Sequence, residues 1–448
     1  MIDTVVLNIK FKPQYVFGDH IKRESGEVDL KECFKRGCKV MAGEIVDFNG
    51  VGNAEVTNLS SPWESIASSN SSVAFKVFQG GASYWPFVQV KGSVAKILQG
   101  HNVYGSDNPE QILCLIDALC FAMPDLIDML DFKTVEIKQI DCTYSAHVKN
   151  QSIARQVIAA CRNIHHGQTK VSNQEHDTSN YWGMSGKGVR TSRNKTLKQY
   201  LKFPEILNAI EKIEKDLGLV KSEPKLHKSG LIKKAKTTKK KTQNAYFEKQ
   251  LKLLKSPEVQ NYAKTAVRHE ACVMPDMMKR MDIPTNLIEF MKYCRDEING
   301  NVIQHMWAVA WSDILECFKG ADMKVYTDDE IESKIKSKFV KVTPSGNLSY
   351  AKGIRLHKLY MDIKTYGWAK TKSMFSSSTF NDNVKLLMKV VPKAHLQNLN
   401  GIASNVTPII KVINFDFINQ CPVGYVEPDS LYQQHAENVL SFPLHRVA

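Results

Sequence analysis

The stretch KTVEIKQIDCTYSAHV, residues 133–148, decides the fold class that the sequence predicts. It is rich in β-branched and aromatic residues, a composition typical of a strand. The stretches 3–11, 72–81 and 84–93 have the same character and are bounded by Gly, Pro or Ser. These four segments predict a β-sheet in the N-terminal part of the chain.

Helical patterns surround and follow these strands. Apolar residues recur at helical spacing in 108–130 and 150–164, so we expect both segments to cover the sheet as helices. Beyond residue 243 helical patterns dominate, and one strand candidate, 266–274, interrupts them. The sequence therefore predicts an α+β protein with an antiparallel sheet flanked by helices, followed by a mainly helical C-terminal region.

A lysine-rich segment divides the chain. With 448 residues, the chain is long enough for two or three domains. Residues 221–241 hold nine lysines against one glutamate, which is typical of a solvated, flexible linker. The predicted division is a β-rich catalytic region at 1–220, a linker at 221–243, a helical region at 244–322 whose strand completes the sheet, and a C-terminal module at 323–448.

The charge of the chain points to phosphate. Its formal net charge is +14, and basic surfaces usually meet nucleic acid or other phosphate groups. A disordered lysine segment can neutralise DNA phosphates without folding, so the linker can bind DNA and still be flexible. The candidate DNA-binding residues are Lys233, Lys234, Lys236, Lys239, Lys240 and Lys241.

Several classes of protein are disfavoured by the composition. No apolar run approaches the roughly 20 residues that cross a bilayer, and residues 1–14 lack the apolar core and cleavage site of a signal peptide. The ten cysteines are scattered and form no CxxC pair. We expect a protein without a membrane partner that stays in a reducing cytoplasm.

The period of two along a strand groups the polar residues of three segments. In QIDCTYS (139–145), Asp141 lies on a polar stripe. In AVRHEACV (266–273), Arg268 and Glu270 share a face. In TLKQYLK (196–202), the period predicts that Lys198, Tyr200 and Lys202 share a face, so that two ammonium groups flank the phenol.

Each of these residues also has a structural explanation. A tyrosine on a strand usually packs against its neighbours. Asp141 could anchor a hydrogen bond as well as bind a metal, and Glu270 could form a plain salt bridge with Arg268. Only the combination of these residues indicates a catalytic site.

Together these residues indicate phosphoryl transfer. Mg²⁺ needs only one or two protein carboxylates besides a substrate phosphate, and Asp141 and Glu270 could supply them. Tyr200 could be the nucleophile if Lys198 and Lys202 lower the pKa of its phenol. His165 and His166 are adjacent, so on a strand they would point to opposite faces and could not share a metal.

His101 is a further candidate. It follows a glycine in LQGHNVYG (98–105), a loop pattern, and could be a metal ligand or a phosphate contact.

The chain resembles a known family, the gene II replication initiators of filamentous bacteriophages. The resemblance spans nearly the whole chain and is weakest across the lysine-rich linker. The segments that carry it, in order along the chain, are MIDTVVLNIKF, SSPWESIASSNSSVAFKVFQG, VKGSVAKILQGHNVYG, QIDCTYSA, QVIAACRNIHHGQTK, KTLKQYLK, AVRHEACV, VTPSGNLSYAKG and VINFDFINQCP.

The resemblance implies rolling-circle replication. Members of the family nick the plus strand of supercoiled, double-stranded replicative-form DNA at the origin, through a tyrosine that becomes linked to the 5′ phosphate. The free 3′-OH primes synthesis, and the displaced single strand is later cut and closed. The nucleophile lies in the segment that TLKQYLK matches, which implies Tyr200, with Lys198, Lys202 and Arg268 stabilising negative charge.

The resemblance also implies cofactors and partners. Mg²⁺ is the family's cofactor, which Mn²⁺ could replace, and the implied ligands are Asp141 and Glu270. Glu64 of PWESIAS matches a family segment and is either a third ligand or a cap in a loop or helix start. The implied partners are the host helicase, polymerase and single-strand-binding protein in the bacterial cytoplasm. Whether the protein forms an oligomer on the origin stays open.

The C-terminal region resembles the gene X protein, which in the family arises from an internal start. The matching methionine here would be Met323. The sheet is similar to the palm of rolling-circle initiators, but it lacks their His-hydrophobic-His motif.

Two other functions stay open from the residues. One is an origin-binding regulator without catalysis, in which the carboxylates only brace the sheet. The other is a Mg²⁺-dependent nuclease that activates water, with Tyr200 stacking on a base.

Overall fold

The computed structural model describes residues 1–18, 25–43, 58–67, 71–162, 164–166, 169, 171–172, 176–184, 190, 192–219, 241–317, 328–399 and 415–428. The strands are β1 (Ile2–Phe11), β2 (Val16–Phe17), β3 (Gly26–Val28), β4 (Met41–Gly43), β5 (Asn58–Ser60), β6 (Glu64–Ala67), β7 (Ser72–Phe78), β8 (Gly80–Gly81), β9 (Phe87–Ser93), β10 (Leu130–His147), β11 (Ser179–Trp182), β12 (Lys195–Leu201), β13 (Ala266–Val273), β14 (Lys341–Val342) and β15 (Leu348–Ser349).

Helices occupy most of the remaining described chain. They are α1 (Leu30–Lys35), α2 (Val94–Gln99), α3 (Leu113–Ala122), α4 (Pro124–Ile127), α5 (Gln151–Cys161), α6 (Lys202–Leu217), α7 (Lys241–Leu254), α8 (Pro257–Thr265), α9 (Pro275–Arg280), α10 (Leu287–Arg295), α11 (Val302–Glu316), α12 (Asp328–Lys338), α13 (Ala351–Tyr366), α14 (Trp368–Ser373), α15 (Ser377–Leu387) and α16 (Lys393–Asn398).

One antiparallel sheet organises the molecule. Its eight described strands follow the order β11-β12-β13-β10-β1-β9-β7-β6. β13 comes from the helical half of the chain and inserts between β12 and β10. The predicted α+β class is confirmed, and the strand candidate at 266–274 forms part of this sheet.

Helices cover one face of this sheet. Alternate residues of each strand, such as Leu7, Val90 and Ile140, lie in the main hydrophobic core. Helix α11 packs against β10, β12 and β13 and buries Trp307 and Trp311 there. The other face carries the polar residues of the same strands.

A second core lies in the C-terminal region. Helices α12, α13 and α15 bury Ile335, Leu356 and Phe380 together, which agrees with the predicted helical character. The segment 415–428 packs instead on the first core: Phe415 lies 4.7 Å from Trp307, measured between ring centres. The gene X-like module boundary stays a prediction, and Met323 lies outside the described residues.

Two local predictions were wrong. The strand pattern extended to Lys202, but β12 ends at Leu201 and Lys202 is the first residue of α6, whose Ile206, Ile210 and Ile213 face a small core. Glu64, predicted in a loop or at a helix start, is the first residue of β6.

The lysine-rich linker was predicted to reach residue 243, and α7 begins inside it at Lys241. Lys233, Lys234, Lys236, Lys239 and Lys240 lie outside the described residues, as does the side chain of Lys241. Among the helices that the structure describes, none combines the length and the apolar character that a membrane span requires.

Candidate active site

The pairing of three adjacent strands brings the predicted site residues together. Tyr200 of β12 lies directly opposite Arg268 of β13, and Lys198 lies opposite Glu270. On the other side of β13, Thr143 of β10 lies opposite Glu270. Residues directly opposite one another share a face, with Cβ atoms about 5 Å apart, so the phenol, the guanidinium and the carboxylate form one cluster.

Glu270 is the centre of this cluster. Its side chain is buried, and the Tyr200 hydroxyl donates a hydrogen bond to its Oε2 at 3.3 Å. The Lys198 ammonium forms an ion pair with the other oxygen, Oε1. Although burial alone would lower it, the carboxylates of Glu270 and Asp141 raise the pKa of Lys198 above its usual value.

Asp141 is a second buried carboxyl group on the same face. The Gln139 amide donates a hydrogen bond to its Oδ1 at 2.7 Å. Burial and the nearby Glu270 raise the pKa of Asp141 to about 7, although Lys198 opposes the shift. Two buried carboxyl groups on one sheet face are a donor set that would suit a divalent cation.

Asp3 is a further buried carboxyl group beside this cluster, and it was not among the site residues predicted from the sequence. It lies on β1, next to β10, and accepts hydrogen bonds from the Ser93 hydroxyl at 2.6 Å and the Asn102 amide at 2.8 Å. Burial raises its pKa, but Arg268 and Lys202 reverse the shift and hold it below the usual value. Aspartate is depleted in strands, so its place at the start of DTVVLNIKF was the available signal.

Arg268 is held rigidly beside the phenol. Its buried guanidinium donates hydrogen bonds to the backbone oxygens of Asn102 and Val103, the latter at 3.0 Å. Both acceptors belong to the loop between α2 and α3. A fixed positive charge next to Tyr200 is suited to a phosphate or to a developing oxyanion.

Lys202 is buried at the start of α6. Its ammonium donates to Glu205 Oε2 at 2.8 Å and to Asn102 Oδ1 at 2.9 Å, and lies 5.8 Å from the centre of the Tyr200 ring. Burial and the Arg268 guanidinium lower the pKa of Lys202 to about 8. A lysine with this pKa can exchange a proton near neutral pH.

The expectation that two lysines favour the phenolate was wrong. Burial raises the pKa of Tyr200 well above its usual value, Glu270 raises it further, and Arg268 opposes the shift. Lys198 is paired with Glu270, and Lys202 with Glu205, so neither ammonium group is directed at the hydroxyl. A phenol with so high a pKa would act as a nucleophile only if a base took its proton, and Glu270 Oε2 is the carboxylate oxygen in contact with it.

The other two candidate ligands occupy different positions. His101 lies close to Arg268 and Lys202; burial and these two charges lower its pKa to about 4. Its Nδ1 accepts a hydrogen bond from the backbone N–H of Val103 at 3.3 Å, which places the ring proton on Nε2. In that tautomer neither nitrogen is free to bind a metal.

Glu64 lies on β6, four strands along the sheet from β10, a span of about 19 Å. It cannot share a metal with Asp141 there. Its Oε1 accepts a hydrogen bond from the backbone N–H of Lys39 at 2.7 Å, which is a structural role. Glu64 thus holds a loop N–H, whereas the cap was predicted for a loop or helix start and Glu64 lies on a strand.

The donor set for a metal is small. Within the described part of the chain, no three Asp, Glu, His or Cys side chains are close enough to hold a metal by themselves. Asp141 and Glu270 fit Mg²⁺, which completes its shell with water and substrate phosphate.

Two family models match the chain. One describes the N-terminal part of the phage gene II replication-associated protein and matches residues 1–296; the other describes the C-terminal part of the same protein and matches residues 342–431. The chain belongs to the gene II family of phage replication-associated proteins. All the clustered site residues, from Asp3 to Glu270, lie within the N-terminal region of this family.

Full-length relatives agree with the gene II models. The chain is 33% identical to the replication-associated protein of Salmonella phage IKe, over 98% of its own length and 99% of the relative's. It is 31% identical to the replication-associated protein of Enterobacteria phage M13, over 96% of its own length and 99% of the relative's. No solved structure matches the chain.

Proposed function

We propose that this gene II family protein nicks the plus strand of supercoiled replicative-form DNA at the phage origin, with Tyr200 as the nucleophile. The observation that carries the proposal is the hydrogen bond from the Tyr200 hydroxyl to Glu270, on the same sheet face as Arg268. A nucleophile in contact with a base, beside a fixed cation, is the arrangement that phosphoryl transfer requires.

The chemical steps follow from these contacts. Glu270 Oε2 takes the phenol proton as Tyr200 Oη attacks the scissile phosphorus. The P–O3′ bond breaks, leaving a 5′-phosphotyrosyl link. Arg268 stabilises the negative charge that develops on the phosphoryl oxygens. The departing 3′ oxygen takes a proton from Lys202, whose pKa of about 8 suits a donor at neutral pH.

Asp141 and Glu270 would hold Mg²⁺, which Mn²⁺ could replace, and the ion would neutralise phosphate charge when bound. Ligation runs the same steps backwards: a 3′-OH attacks the phosphotyrosine, the phenol recovers its proton, and the strand closes without ATP. This reversal would circularise the displaced single strand. We place the reaction in the cytoplasm of the bacterial host.

One observation favours a second candidate. Because the pKa of Asp141 is about 7 while that of Tyr200 is raised, Asp141 could activate a water molecule instead. The protein would then be a Mg²⁺-dependent nuclease that forms no covalent link to DNA.

The test is a covalent-adduct assay with the full chain. We expect wild-type protein, incubated with Mg²⁺ and a supercoiled plasmid carrying the cognate origin, to remain attached to DNA after denaturation. Tyr200→Phe should abolish both adduct and nick. Tyr181→Phe is the matched control, because Tyr181 lies opposite Lys198 on the neighbouring strand β11 and should leave the adduct intact.

Three outcomes would contradict this function. Nicking that survives in Tyr200→Phe would support water activation. Origin binding without any cutting by the wild type would support a non-catalytic regulator. Loss of the adduct in Tyr181→Phe alone would move the nucleophile to β11.

A further inference from the structure

The polar face of the sheet continues beyond the candidate active site, across β1, β9 and β7. Phe87 of β9 lies between Lys10 of β1 and Phe78 of β7, directly opposite both. Two residues further along β9, Gln89 lies between Asn8 and Lys76 in the same way. These six residues, with Lys91 and Tyr84, form a surface that we call the platform.

Aromatic rings form one edge of the platform. Phe78 and Phe87 are stacked, with ring centres 4.7 Å apart and planes 16° from parallel. Tyr84 is 42% exposed and lies 6.0 Å from Phe87 at a tilt. The Lys76 ammonium lies 5.2 Å from the centre of the Phe78 ring. A base has a π-face that can extend such a stack.

Lysines flank the aromatic rings. Lys10 and Lys91 are exposed, and Lys76 is half-buried. Within the described residues, none of the three ammonium groups lies within ion-pair distance of a carboxylate. Gln89 donates a hydrogen bond to Asn8 at 2.9 Å, so amide groups lie between the charges. This spacing of cations, amides and rings suits a chain of bases and phosphates.

The platform is continuous with the candidate active site. Val6 of β1 lies opposite Lys91 on one side and opposite Gln139 on the other, and Gln139 is hydrogen-bonded to Asp141. From β12, which carries Tyr200, to β9 is four strand spacings, or about 19 Å. A single strand of several nucleotides could span this distance along one face.

We propose that the platform binds single-stranded DNA, namely the strand next to the phosphate that Tyr200 attacks. The position of this strand next to the scissile phosphate rests on the proposed function, but the binding of single-stranded DNA to the platform does not. Bases stack on Phe78, Phe87 and Tyr84, while Lys10, Lys76 and Lys91 contact phosphates. Stacking on rings favours an unpaired strand, because the bases of a duplex already stack on one another.

The test uses the full chain carrying Tyr200→Phe, so that no cleavage interferes. The probe is a fluorescent oligothymidine of about 20 nucleotides, enough to span the face. Phe87→Leu and Phe78→Leu keep apolar bulk in the sheet and remove the ring. We expect each to raise Kd for the probe about 10-fold, which lies within the range that stacking on one aromatic side chain gives. Circular dichroism confirms that each variant is folded.

Two matched controls isolate the effect. Phe34→Leu removes a ring that is 63% exposed on α1, outside the platform, and should leave Kd unchanged. Replacing both Lys76 and Lys91 with glutamine should reduce the dependence of log Kd on log salt. Lys35→Gln, at an exposed position next to Phe34 on α1, should leave that dependence unchanged. A duplex of equal length should bind the Phe87→Leu variant as tightly as its parent.

An unchanged Kd for the single strand in both Phe→Leu variants would overturn the proposal. An equal loss for duplex and single strand would also overturn it, in favour of general phosphate contact. The result does not depend on the nucleophile: if Tyr200→Phe still nicks but the platform variants lose the probe, the platform stands and the proposed function fails.

Discussion

One oxygen of Glu270 accepts a hydrogen bond from Tyr200, and the other pairs with Lys198. The same carboxylate can therefore take the phenol proton and balance the charge of the lysine. This arrangement explains how a phenol with a raised pKa could still act as a nucleophile. The Lys198 ammonium pairs with Oε1 of Glu270, which leaves Oε2, the oxygen in contact with the phenol, to accept the proton when attack begins. In the proposed mechanism neither lysine acts on the phenol itself: Lys198 acts through Glu270, and Lys202 protonates the departing 3′ oxygen.

Replacing Glu270 with glutamine should slow the cleavage step. Glu270→Gln keeps the shape of the side chain and removes the proton acceptor, so single-turnover cleavage should fall about 100-fold or more. Origin binding, measured by mobility shift, should change little because Arg268 is still in place. Cleavage at the wild-type rate in folded Glu270→Gln would remove Glu270 from the mechanism.

Asp141 makes the stability of the folded chain depend on pH. Its pKa is about 7 in the folded protein against 3.8 for an ordinary aspartate, so the folded state binds its proton more tightly than the unfolded state does. The free energy of unfolding therefore falls as pH rises from about 4 to about 7, by an amount on the order of 4 kcal/mol. We expect Asp141→Asn to remove this contribution to the pH dependence of stability. Between pH 5 and pH 8, Tm should therefore fall less in the variant than in the wild type.

The same measurement tests the metal. Mg²⁺ at a hundred times its Kd should stabilise the wild-type chain at pH 8 by about 2.7 kcal/mol, and Asp141→Asn should abolish that gain. Glu64→Gln is the control, since Glu64 lies about 19 Å away and should keep the Mg²⁺ response. An equal Mg²⁺ response in Asp141→Asn would place the metal elsewhere.

The strand period predicted most of the site at the level of elements. It placed Asp141, Tyr200, Arg268 and Glu270 on polar faces, and the structure brings those faces together. It failed at Lys202, because the alternation of TLKQYLK continues for one residue after the backbone turns into α6. It also could not place Asp3, since the pairing of β1 with β10 joins segments that are far apart in the sequence.

One described segment near the C-terminus supports the site from outside. The Gln420 side chain accepts a hydrogen bond from the Ser145 N–H at 2.7 Å and donates to the Ser145 carbonyl at 3.0 Å. The Cys421 thiol contacts the Gly105 carbonyl, and Tyr425 donates to Gln99 at 3.1 Å. The segment 415–428 thereby covers part of β10 and the loop whose backbone holds Arg268.

Weakening this segment should loosen that loop. We expect Gln420→Ala to increase hydrogen exchange at the Ser145 amide and in residues 102–105, and to lower single-turnover cleavage several-fold by displacing Arg268. Val423→Ala, a change at a fully exposed position of the same segment, is the control. Unchanged exchange in Gln420→Ala would show that the segment does not hold the loop.

At the scale of the whole molecule, the sequence predicted the class of fold but not the strand order. The composition of each segment identifies β10 and β13 as strands, but no local sequence pattern predicts that β13 pairs between β12 and β10. The insertion depends on pairing between segments separated by the lysine-rich stretch. The match to the gene II family is consistent with this pairing, since the N-terminal family region extends past β13 to residue 296.

The lysine-rich stretch should contribute to affinity without contributing to chemistry. Replacing Lys233, Lys234, Lys236, Lys239 and Lys240 with glutamine should flatten the salt dependence of binding, by about 0.9 in slope for each phosphate of duplex DNA that is no longer neutralised. Cleavage at saturating protein should persist. A large fall in the single-turnover rate under those conditions would instead place these lysines in the catalytic step.

Mass spectrometry of the covalent adduct shows directly which residue carries the nucleotide. Wild-type protein is trapped on a single-stranded origin fragment with Mg²⁺, digested with nuclease and then with trypsin, which cuts after Lys198 and Lys202. We expect a nucleotide attached to Tyr200, within the short peptide Gln199–Lys202 or a longer peptide that contains it. A nucleotide on any other tyrosine, or nicked DNA with no modified peptide, would contradict it.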